Sequence, residues 1–504
     1  MTIDRRRLLA ALGAGGAAVL TGGGRAAALA AGLDAWPART AGPRTLPPDW
    51  QRLRARLGSR LVMPGDPTYP TYRLGYNTLY DGQLPAAVAR CASPADVQVC
   101  LDTARGHGIP IAARSGGHNY LGYSVPDAGL VIDLRLISDI TVDRDGTARV
   151  GAGARLIEVY AALAQAGRLL PAGSCPTVGV SGLTLGGGIG VLTRKYGLTC
   201  DRLTRARLVG ADSCLLAASG DEQPELYWAL RGGGGGNFGI VTGFEFATEP
   251  APPLTVCSLS FPAGSAAAVL GAWQEWAAAA PFELWSTCSL SAGSPPSSRV
   301  VGCLVGDPDT MNRQLDRLVA AAGVRPATRS VLPKSYLDAM KYMAGCANDT
   351  IAQCHPTWEG GVLPRDGFVA GSRMLGSRPL DAAQAVALVD GRSGVDVLFD
   401  VLGGAVARLA PDATAFPHRD SLASVQIYAS TTPAGRDRAT RTVGEIRDGL
   451  AALGARGAYV NYLDATQPDW GTAYYGGNLQ RLKAVARRYD PDGVFAFPRS
   501  IAAA

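Results

Sequence analysis

The chain of 504 residues contains few histidines, and motifs that mark several common enzyme classes do not occur in it. Histidine occurs only 4 times, and no two histidines have the spacing of metal ligands. The cysteines form no Cys-x-x-Cys pair, and neither a Gly-x-Ser-x-Gly elbow nor a phosphate loop ending in Gly-Lys-Ser/Thr is found. These absences argue against a metal site, a hydrolase of the elbow type and a nucleoside triphosphatase.

Charge is also scarce, since only 18% of the residues are Asp, Glu, Lys or Arg, and the net charge of +6 is spread along the chain. This distribution gives no indication of a nucleic-acid partner. The hydrophobic fraction of 47% is enough for sizeable cores and excludes global disorder. The 64 glycines fall in short clusters without a repeat, which excludes collagen and indicates close contact between the backbone and a ligand.

Residues 1–40 have the features of an export signal rather than of a folded domain. A run of arginines, Arg5 to Arg7, precedes an apolar stretch rich in glycine and alanine. The paired arginines resemble the twin-arginine type of signal, which implies the twin-arginine export machinery as a partner and a secreted or extracytoplasmic location. A membrane anchor is disfavoured because glycine and alanine dilute the stretch, and no later run is long and apolar enough to cross a bilayer. We therefore predict a mature form without a membrane segment.

Short helices alternate with short apolar strands between residues 93 and 246, a pattern that indicates an α+β fold. Ser93 and Pro94 form a typical helix start, and Gly106 is expected to end that helix. The other elements predicted in this section are strands at 109–113 and 130–134, a helix at 155–166 and a strand pair within 208–219.

A proline-rich stretch at 249–253 marks the start of a different section. Alternating runs beyond it predict an antiparallel sheet with helices on one side. Near the C-terminus, residues 459–462 are expected to be extended, and residues 479–489 form an amphipathic helix that stops at 490–493. The strands predicted for the sheet are 254–261, 300–305, 368–374, 397–402 and 424–430, with helices at 266–278 and 311–322.

Three glycine clusters, at 114–120, 175–190 and 232–236, carry the chemical information. Successive backbone amides without side chains form a cradle for phosphate or pyrophosphate groups. None of the clusters has the Gly-x-Gly-x-x-Gly pattern after a first strand, so a Rossmann nicotinamide site is not indicated. Tight turns alone would explain any one cluster. Three clusters in one domain favour a long anionic cofactor.

The order of six motifs along the chain resembles the berberine bridge enzyme type of flavin-dependent oxidase, within the vanillyl-alcohol-oxidase-like superfamily. The resemblance implies FAD as cofactor and an α+β fold, with a two-lobed PCMH-type FAD-binding domain and an inserted α+β substrate domain built on an antiparallel sheet. The matching stretches are 114–120, 175–201, 232–242, 414–419, 459–464 and 490–495.

The resemblance also implies two covalent links to FAD. The histidine of the first motif, His118, corresponds to the residue that bonds to the flavin 8α-methyl group, and Cys175 corresponds to the residue that bonds to C6. Links of this kind raise the reduction potential of the flavin and hold it in an open site. The further cofactor contacts expected on these motifs are Arg114, Ser115, Gly116, Gly117, Asn119, Gly179, Gly182, Gly187, Gly188, Gly190, Gly239, Ile240, Val241 and Asn461. No metal is expected.

A base must take the hydroxyl proton when an alcohol gives its hydride to flavin N5. In alcohol-oxidising relatives this is a tyrosine of the Tyr-x-Asn-Tyr stretch, so Tyr462 is the first candidate and Tyr459 the second. Gln426 lies where the berberine bridge enzyme has a catalytic glutamate, and an amide cannot act as a base, which favours alcohol oxidation over amine chemistry. Tyr120 is expected to line the pocket. Ile189, where several relatives have a tyrosine, indicates a less polar substrate.

His418 and Arg419 lie in a motif found throughout the family, and we assign them to structure rather than to proton transfer. The expected FAD-binding domain comprises residues 60–248 and 456–504, and the substrate domain comprises residues 249–455. The function predicted is oxidation of a small-molecule alcohol, a sugar or natural-product hydroxyl, with O2 as acceptor and H2O2 as product. Two alternatives remain: a dehydrogenase with a different acceptor, and a catalytically silent flavin-binding protein.

Overall fold

The first sheets of the fold are small and lie in the N-terminal half of the chain. The structure, a computed structural model, describes residues 50–504, so the predicted export signal lies outside the described residues. A four-stranded sheet has the order β1-β2-β4-β3, in which β4 is parallel to β2 and β3. Its strands are β1 (Leu61–Val62), β2 (Ala87–Arg90), β3 (Ile111–Arg114) and β4 (Leu130–Asp133).

A five-stranded antiparallel sheet, of order β5-β6-β10-β8-β9, forms the second lobe. The predicted strand pair within 208–219 is confirmed as the β8–β9 hairpin. The strands are β5 (Ile140–Val142), β6 (Thr147–Gly151), β8 (Leu203–Val209), β9 (Leu215–Ser219) and β10 (Ile240–Ala247), and a separate two-stranded sheet pairs β7 (Arg168–Leu169) with β11 (Glu249–Pro250).

Among residues 50–504, seven α-helices accompany these sheets. In the helix that begins at Pro94, the Ser93 hydroxyl accepts a hydrogen bond from the Asp96 amide, as its N-cap position predicts. The predicted stop at Gly106 is wrong, because the helix continues to His107 and is capped by Gly108, whose φ of 64° is left-handed. The helices are α1 (Trp50–Leu57), α2 (Tyr69–Tyr72), α3 (Pro94–His107), α4 (Leu156–Gln165), α5 (Val180–Leu185), α6 (Thr193–Tyr196) and α7 (Pro224–Ala229).

The predicted antiparallel sheet is confirmed and has seven strands, in the order β15-β12-β14-β13-β17-β18-β16. The sequence reading missed β13 and β15. The strands are β12 (Leu254–Ser260), β13 (Leu284–Ser291), β14 (Ser297–Val305), β15 (Thr328–Lys334), β16 (Phe368–Leu375), β17 (Val395–Val401) and β18 (Ala423–Ser430).

Helices cover one face of this large sheet. Buried side chains such as Val269, Leu270 and Trp273 pack between the first of these helices and the strands. The opposite face is turned toward the glycine-rich loops of the small sheets. The helices on this face are α8 (Ala266–Ala279), α9 (Pro308–Ala322), α11 (Ala382–Ala387) and α12 (Arg436–Ala452), whereas α10 (Tyr336–Met343) lies on the opposite side and packs against α4.

The last section returns to the small sheets through α13 (Trp470–Tyr475) and α14 (Leu479–Tyr489). Helix α14 packs against α7 with Leu482 buried, and its apolar face is confirmed. The Asp490 carboxylate accepts hydrogen bonds from the Val494 and Phe495 amides and holds the turn that follows. No helix among residues 50–504 is long and apolar enough to cross a membrane.

Candidate active site

A cavity of ≈390 Å³ lies between the glycine-rich loops and the open face of the seven-stranded sheet. All three glycine clusters and the Tyr-x-Asn-Tyr stretch contribute to its wall. The predicted site residues that line it are Ser115, Gly116, Gly117, His118, Asn119, Tyr120, Cys175, Gly179, Gly182, Gly190, Gly239, Ile240, Val241, Gln426, Tyr459, Asn461 and Tyr462.

Three other predicted site residues stand behind this wall. The Arg114 side chain is buried, pairs with Asp133 at 2.8 Å and donates to the Tyr72 carbonyl, so it fixes the start of the first glycine loop from the side away from the cavity. Burial lowers the pKa of Arg114 to about 10. Gly187 and Gly188 have φ values of +120° and +89°, and they shape the second glycine loop.

The first and second glycine loops meet backbone to backbone. A Cβ atom added to Gly116 would lie 2.2 Å from the Gly179 amide nitrogen, and one added to Gly179 would lie 2.1 Å from the Ser115 Oγ. Only glycine allows this approach at both positions. The contact holds the loop that carries His118 against the loop that carries Cys175.

His118 and Cys175 share a neighbour, Thr177. The Thr177 Oγ1 lies 2.8 Å from the His118 Nε2 and 3.5 Å from the Cys175 Sγ. The His118 ring stacks on Tyr76, with 3.9 Å between ring centroids and 19° between planes. The sequence reading singled out neither Thr177 nor Tyr76. The structure thus brings the two predicted attachment residues together at one end of the cavity.

The loops around the cavity leave the kind of space that a long flat cofactor needs. A Cβ atom on Gly182 would meet nothing within 4 Å, and one on Gly235 would meet nothing closer than 3.8 Å, so side chains there would enter the cavity. Within residues 50–504, the amides of Gly116 and Gly117 donate to no backbone carbonyl. These open amides fit a pyrophosphate, and the residues present fit FAD.

The Tyr-x-Asn-Tyr stretch is not extended, which corrects the prediction for residues 459–462. The Tyr462 amide donates to the Tyr459 carbonyl at 2.9 Å, so the backbone turns and both rings face the cavity at a centroid distance of 5.0 Å. Two rings three positions apart would point to opposite faces of a strand. The turn brings them to one side.

The Tyr459 oxygen is enclosed by donors. It accepts hydrogen bonds from the Gly188 amide at 3.0 Å, the Ile189 amide at 3.3 Å and the Asn461 Nδ2 at 2.8 Å. Tyr459 is 1% exposed, and burial, opposed by these donors, raises the pKa of its hydroxyl to about 12. Tyr459 therefore ties the second glycine loop to the C-terminal segment.

Tyr462 lies instead in a stack that faces the sheet. Its ring is parallel to that of Tyr120, with 5.5 Å between centroids and 15° between planes. The Gln426 Nε2 on β18 donates to the Tyr120 hydroxyl at 2.6 Å. Three predicted residues from three distant parts of the chain thus form one cluster.

The sheet face that closes the cavity is more polar than Ile189 alone indicates. Trp285 and Thr287 on β13 and Asp400 on β17 line the cavity, and Thr287 lies directly opposite Asp400 in the ladder. All three side chains are buried. The sequence reading missed them, although a carboxylate inside the apolar run of β17 is a detectable signal.

The structural role given to His418 and Arg419 agrees with their contacts. Arg419 forms two hydrogen bonds of 2.8 Å with the Asp201 carboxylate and lies away from the cavity wall. The His418 Nε2 lies 3.1 Å from the Tyr474 carbonyl. Among residues 50–504, no group of three or more His, Cys, Asp or Glu side chains could hold a metal ion.

Two family models match the chain, one described as an FAD binding domain over residues 85–219 and one described as berberine and berberine like over residues 458–502. The uncharacterized FAD-linked oxidoreductase YgaK of Bacillus subtilis (strain 168) is 33% identical over 457 residues, which cover 89% of this chain and 98% of that protein. Both matched segments contribute residues to the cavity wall. The matched families and this site together define the class of protein, an FAD-dependent oxidoreductase.

Solved structures agree with this class. Physcomitrella patens BBE-like 1 is 29% identical with a TM-score of 0.84, over 90% of this chain and 99% of that one. The glucooligosaccharide oxidase from Acremonium strictum, described with a 6-S-cysteinyl, 8α-N1-histidyl FAD, is 27% identical with a TM-score of 0.79, over 90% and 99% of the two chains. The chain belongs to the berberine bridge enzyme-like family of FAD-linked oxidoreductases. The predicted family, fold class and cofactor are confirmed.

Proposed function

We propose that this protein oxidises alcohols with an FAD that is bonded covalently to His118 and Cys175. The observation that supports this most directly is the convergence of His118, Cys175 and the Tyr462 phenol on one cavity. The likeness to an oxidase with cysteinyl and histidyl links supports it further. When bound, FAD supplies the acceptor for a hydride from the carbinol carbon and passes the electrons to O2, which yields H2O2.

Tyr462 is the proposed base for the hydroxyl proton. The Tyr459 oxygen already accepts three hydrogen bonds, and these contacts suit a positioning role at the second glycine loop. Tyr120, held by the Gln426 amide, stacks on Tyr462 and keeps its ring turned toward the cavity. The substrate hydroxyl would lie between this stack and the cofactor loops.

The substrate that suits the sheet face is a small molecule with more than one oxygen atom. Trp285 can donate a hydrogen bond, Thr287 can donate or accept, and the Asp400 carboxylate can accept from a hydroxyl group. Sugars and hydroxylated natural products both meet these requirements. The aromatic side chains Phe368 and Tyr428, which also line the cavity, offer flat apolar surface for a ring.

The domain division and the location complete the proposal. Residues 60–248 and 456–504 would form the FAD-binding domain, and residues 249–455 the substrate domain. Residues 1–40 would direct the protein through the twin-arginine machinery, so that it acts outside the cytoplasm. The two matched family segments, at 85–219 and 458–502, support the assignment of both chain ends to the FAD-binding domain.

Acid precipitation of the purified protein tests the attachment. Wild-type flavin should stay in the pellet, each of His118→Ala and Cys175→Ala should keep it there, and only the double variant should release it. Flavin in the wild-type supernatant would contradict the roles of both residues.

Anaerobic mixing with a panel of alcohols tests the activity. At least one alcohol should bleach the flavin, and air should restore the colour with release of H2O2. Recovery with a dye acceptor but not with air would mark a dehydrogenase. If no alcohol bleaches the flavin, the result would support the alternative of a catalytically silent flavin-binding protein.

A further inference from the structure

One hydroxyl group touches both proposed attachment residues. The Thr177 Oγ1 lies 2.8 Å from the His118 Nε2 and 3.5 Å from the Cys175 Sγ. Thr177 is only 2% exposed, and its carbonyl accepts a 2.5 Å hydrogen bond from the buried Arg155 side chain. The stacking of the His118 ring on Tyr76 fixes the plane of the imidazole. The hydroxyl is therefore held between the two groups.

The Thr177 hydroxyl can donate to only one of its two neighbours at a time. A threonine hydroxyl donates one proton and accepts through its lone pairs. If it accepts from His118 Nε2–H, its own proton can point to the Cys175 sulfur. In that arrangement Nε2 carries the proton of the neutral imidazole, so the free lone pair of the ring lies on Nδ1. The same hydroxyl would then hold the Cys175 sulfur, the atom that forms the second bond, in place.

We propose that Thr177 is a positioning residue for both covalent links to FAD. Its hydroxyl would select the His118 tautomer that attacks through Nδ1 and would hold the Cys175 sulfur for its bond to C6. This inference rests on the proposed function, since it requires FAD at these two residues. It adds a residue outside the pair that forms the bonds.

Each link can be written as a balanced oxidation. At His118, the Nδ1–C8α bond forms, one C8α–H bond breaks and the imidazole loses one proton overall. At Cys175, the S–C6 bond forms while the thiol and C6 each lose a hydrogen. In each reaction two electrons pass to the flavin itself, and dioxygen takes them with the two protons to give one H2O2. Thr177 is regenerated unchanged.

The test compares attachment rates in full-length chains from riboflavin-starved cells supplied with FAD and air. Covalent flavin is measured over time in the acid pellet, and peptide mass spectrometry assigns each link. Thr177→Val removes the hydroxyl at nearly constant volume, and Thr177→Ser keeps it. We expect the valine variant to form both links at least tenfold more slowly, and the serine variant to stay within about twofold of wild type. Thr255→Val, a buried threonine of β12, is the matched control and should attach flavin normally.

Two backgrounds separate the contacts. In Cys175→Ala the valine substitution should slow the histidyl link, and in His118→Ala it should slow the cysteinyl link. Thermal unfolding of each variant shows whether it is folded, and Thr177→Ala replaces the valine variant if that chain is not recovered. Wild-type rates in both hydroxyl-free variants, or equal losses in serine and valine, would overturn the role of Thr177. Absence of covalent flavin in the wild type would instead contradict the proposed function.

Discussion

The two tyrosines of the Tyr-x-Asn-Tyr stretch differ in the contacts that hold them. Tyr459 is fully buried among three N–H donors, whereas Tyr462 stacks on Tyr120 at the sheet side of the cavity. A base must reach the substrate proton, and its partners must leave room for that proton. The proposal that Tyr462 is the base and that Tyr459 positions the glycine loop rests on this difference.

Substituting Tyr462 tests that division. Tyr462→Phe should lower the rate of flavin reduction by about 10²- to 10⁴-fold, the usual contribution of a general base, while the covalent flavin content stays unchanged. Stopped-flow absorbance at the flavin bands gives this rate.

Tyr459→Phe is the comparison variant. It leaves three donors without an acceptor and should reduce the free energy of unfolding by about 1–3 kcal/mol, measured by urea titration. A larger loss of rate in Tyr459→Phe than in Tyr462→Phe would reverse the assignment.

His418 gives a pH-dependent contribution to stability. Burial, partly offset by hydrogen bonds, lowers the pKa of His418 from 6.5 to about 4. Between these values the unfolded chain binds a proton that the folded chain does not, so stability is full above pH 6.5 and falls toward pH 4. The loss should reach roughly 3 kcal/mol at pH 4. The free energy of unfolding, obtained from urea titrations across this pH range, should fall more steeply toward pH 4 for wild type than for His418→Gln. Equal pH dependence in the two proteins would contradict this contribution of His418.

At the scale of elements, the sequence predicted strands with a recognisable apolar run, even where a carboxylate interrupts the run, as in β17. The missed strands show why others are hard to find. Strand β13 carries three serines and one threonine among its apolar residues, and β15 is an edge strand with exposed side chains and Pro333 within it. The turn at 459–462 depends on contacts with loops far away in the chain, which local patterning does not contain.

The site residues also differ in whether the sequence alone could predict them. His118, Cys175 and Tyr462 follow from motifs. Thr177 does not, because only the fold places it beside the His118 ring. Asp400 belongs to no motif, and its only signal in the sequence is a carboxylate inside an apolar run.

The segment after α10 contains a disulfide between Cys346 and Cys354. It closes a short loop that packs with Ile157 of α4, and Glu359 beyond it pairs with the buried Arg155 at 2.5 Å. The double variant Cys346→Ser and Cys354→Ser should lower the free energy of unfolding by about 2–3 kcal/mol, the value expected for a loop of this size. Reductant should destabilise the wild type in thermal unfolding by as much as the double substitution does. No response to reductant would show that the bond is not formed.

At the scale of the whole molecule, the C-terminal segment of the described chain contributes to the cavity, which Phe497 and Arg499 line. The Ile501 amide donates to the Asn237 side chain at 2.9 Å, next to the third glycine cluster. Such an arrangement requires residues near position 500 before the site is complete. It is consistent with export of an already folded protein.

The export proposal is tested by changing two residues. With Arg5→Lys and Arg6→Lys together, the protein should remain inside the cell and still carry covalent flavin, because the signal is read only by the transport machinery. Immunoblots of cell and medium fractions give the location. Equal secretion of the double variant would mean that residues 1–40 do not act as a twin-arginine signal.

The backbone contact between Gly116 and Gly179 has a consequence for how the cofactor would become attached. It holds the loop of His118 against the loop of Cys175 before either residue has reacted. Once one bond to the flavin forms, the second becomes an intramolecular reaction at high effective concentration. Molecules with a single link would then be short-lived intermediates, and the enzyme would pass from unattached to doubly attached in nearly one kinetic phase.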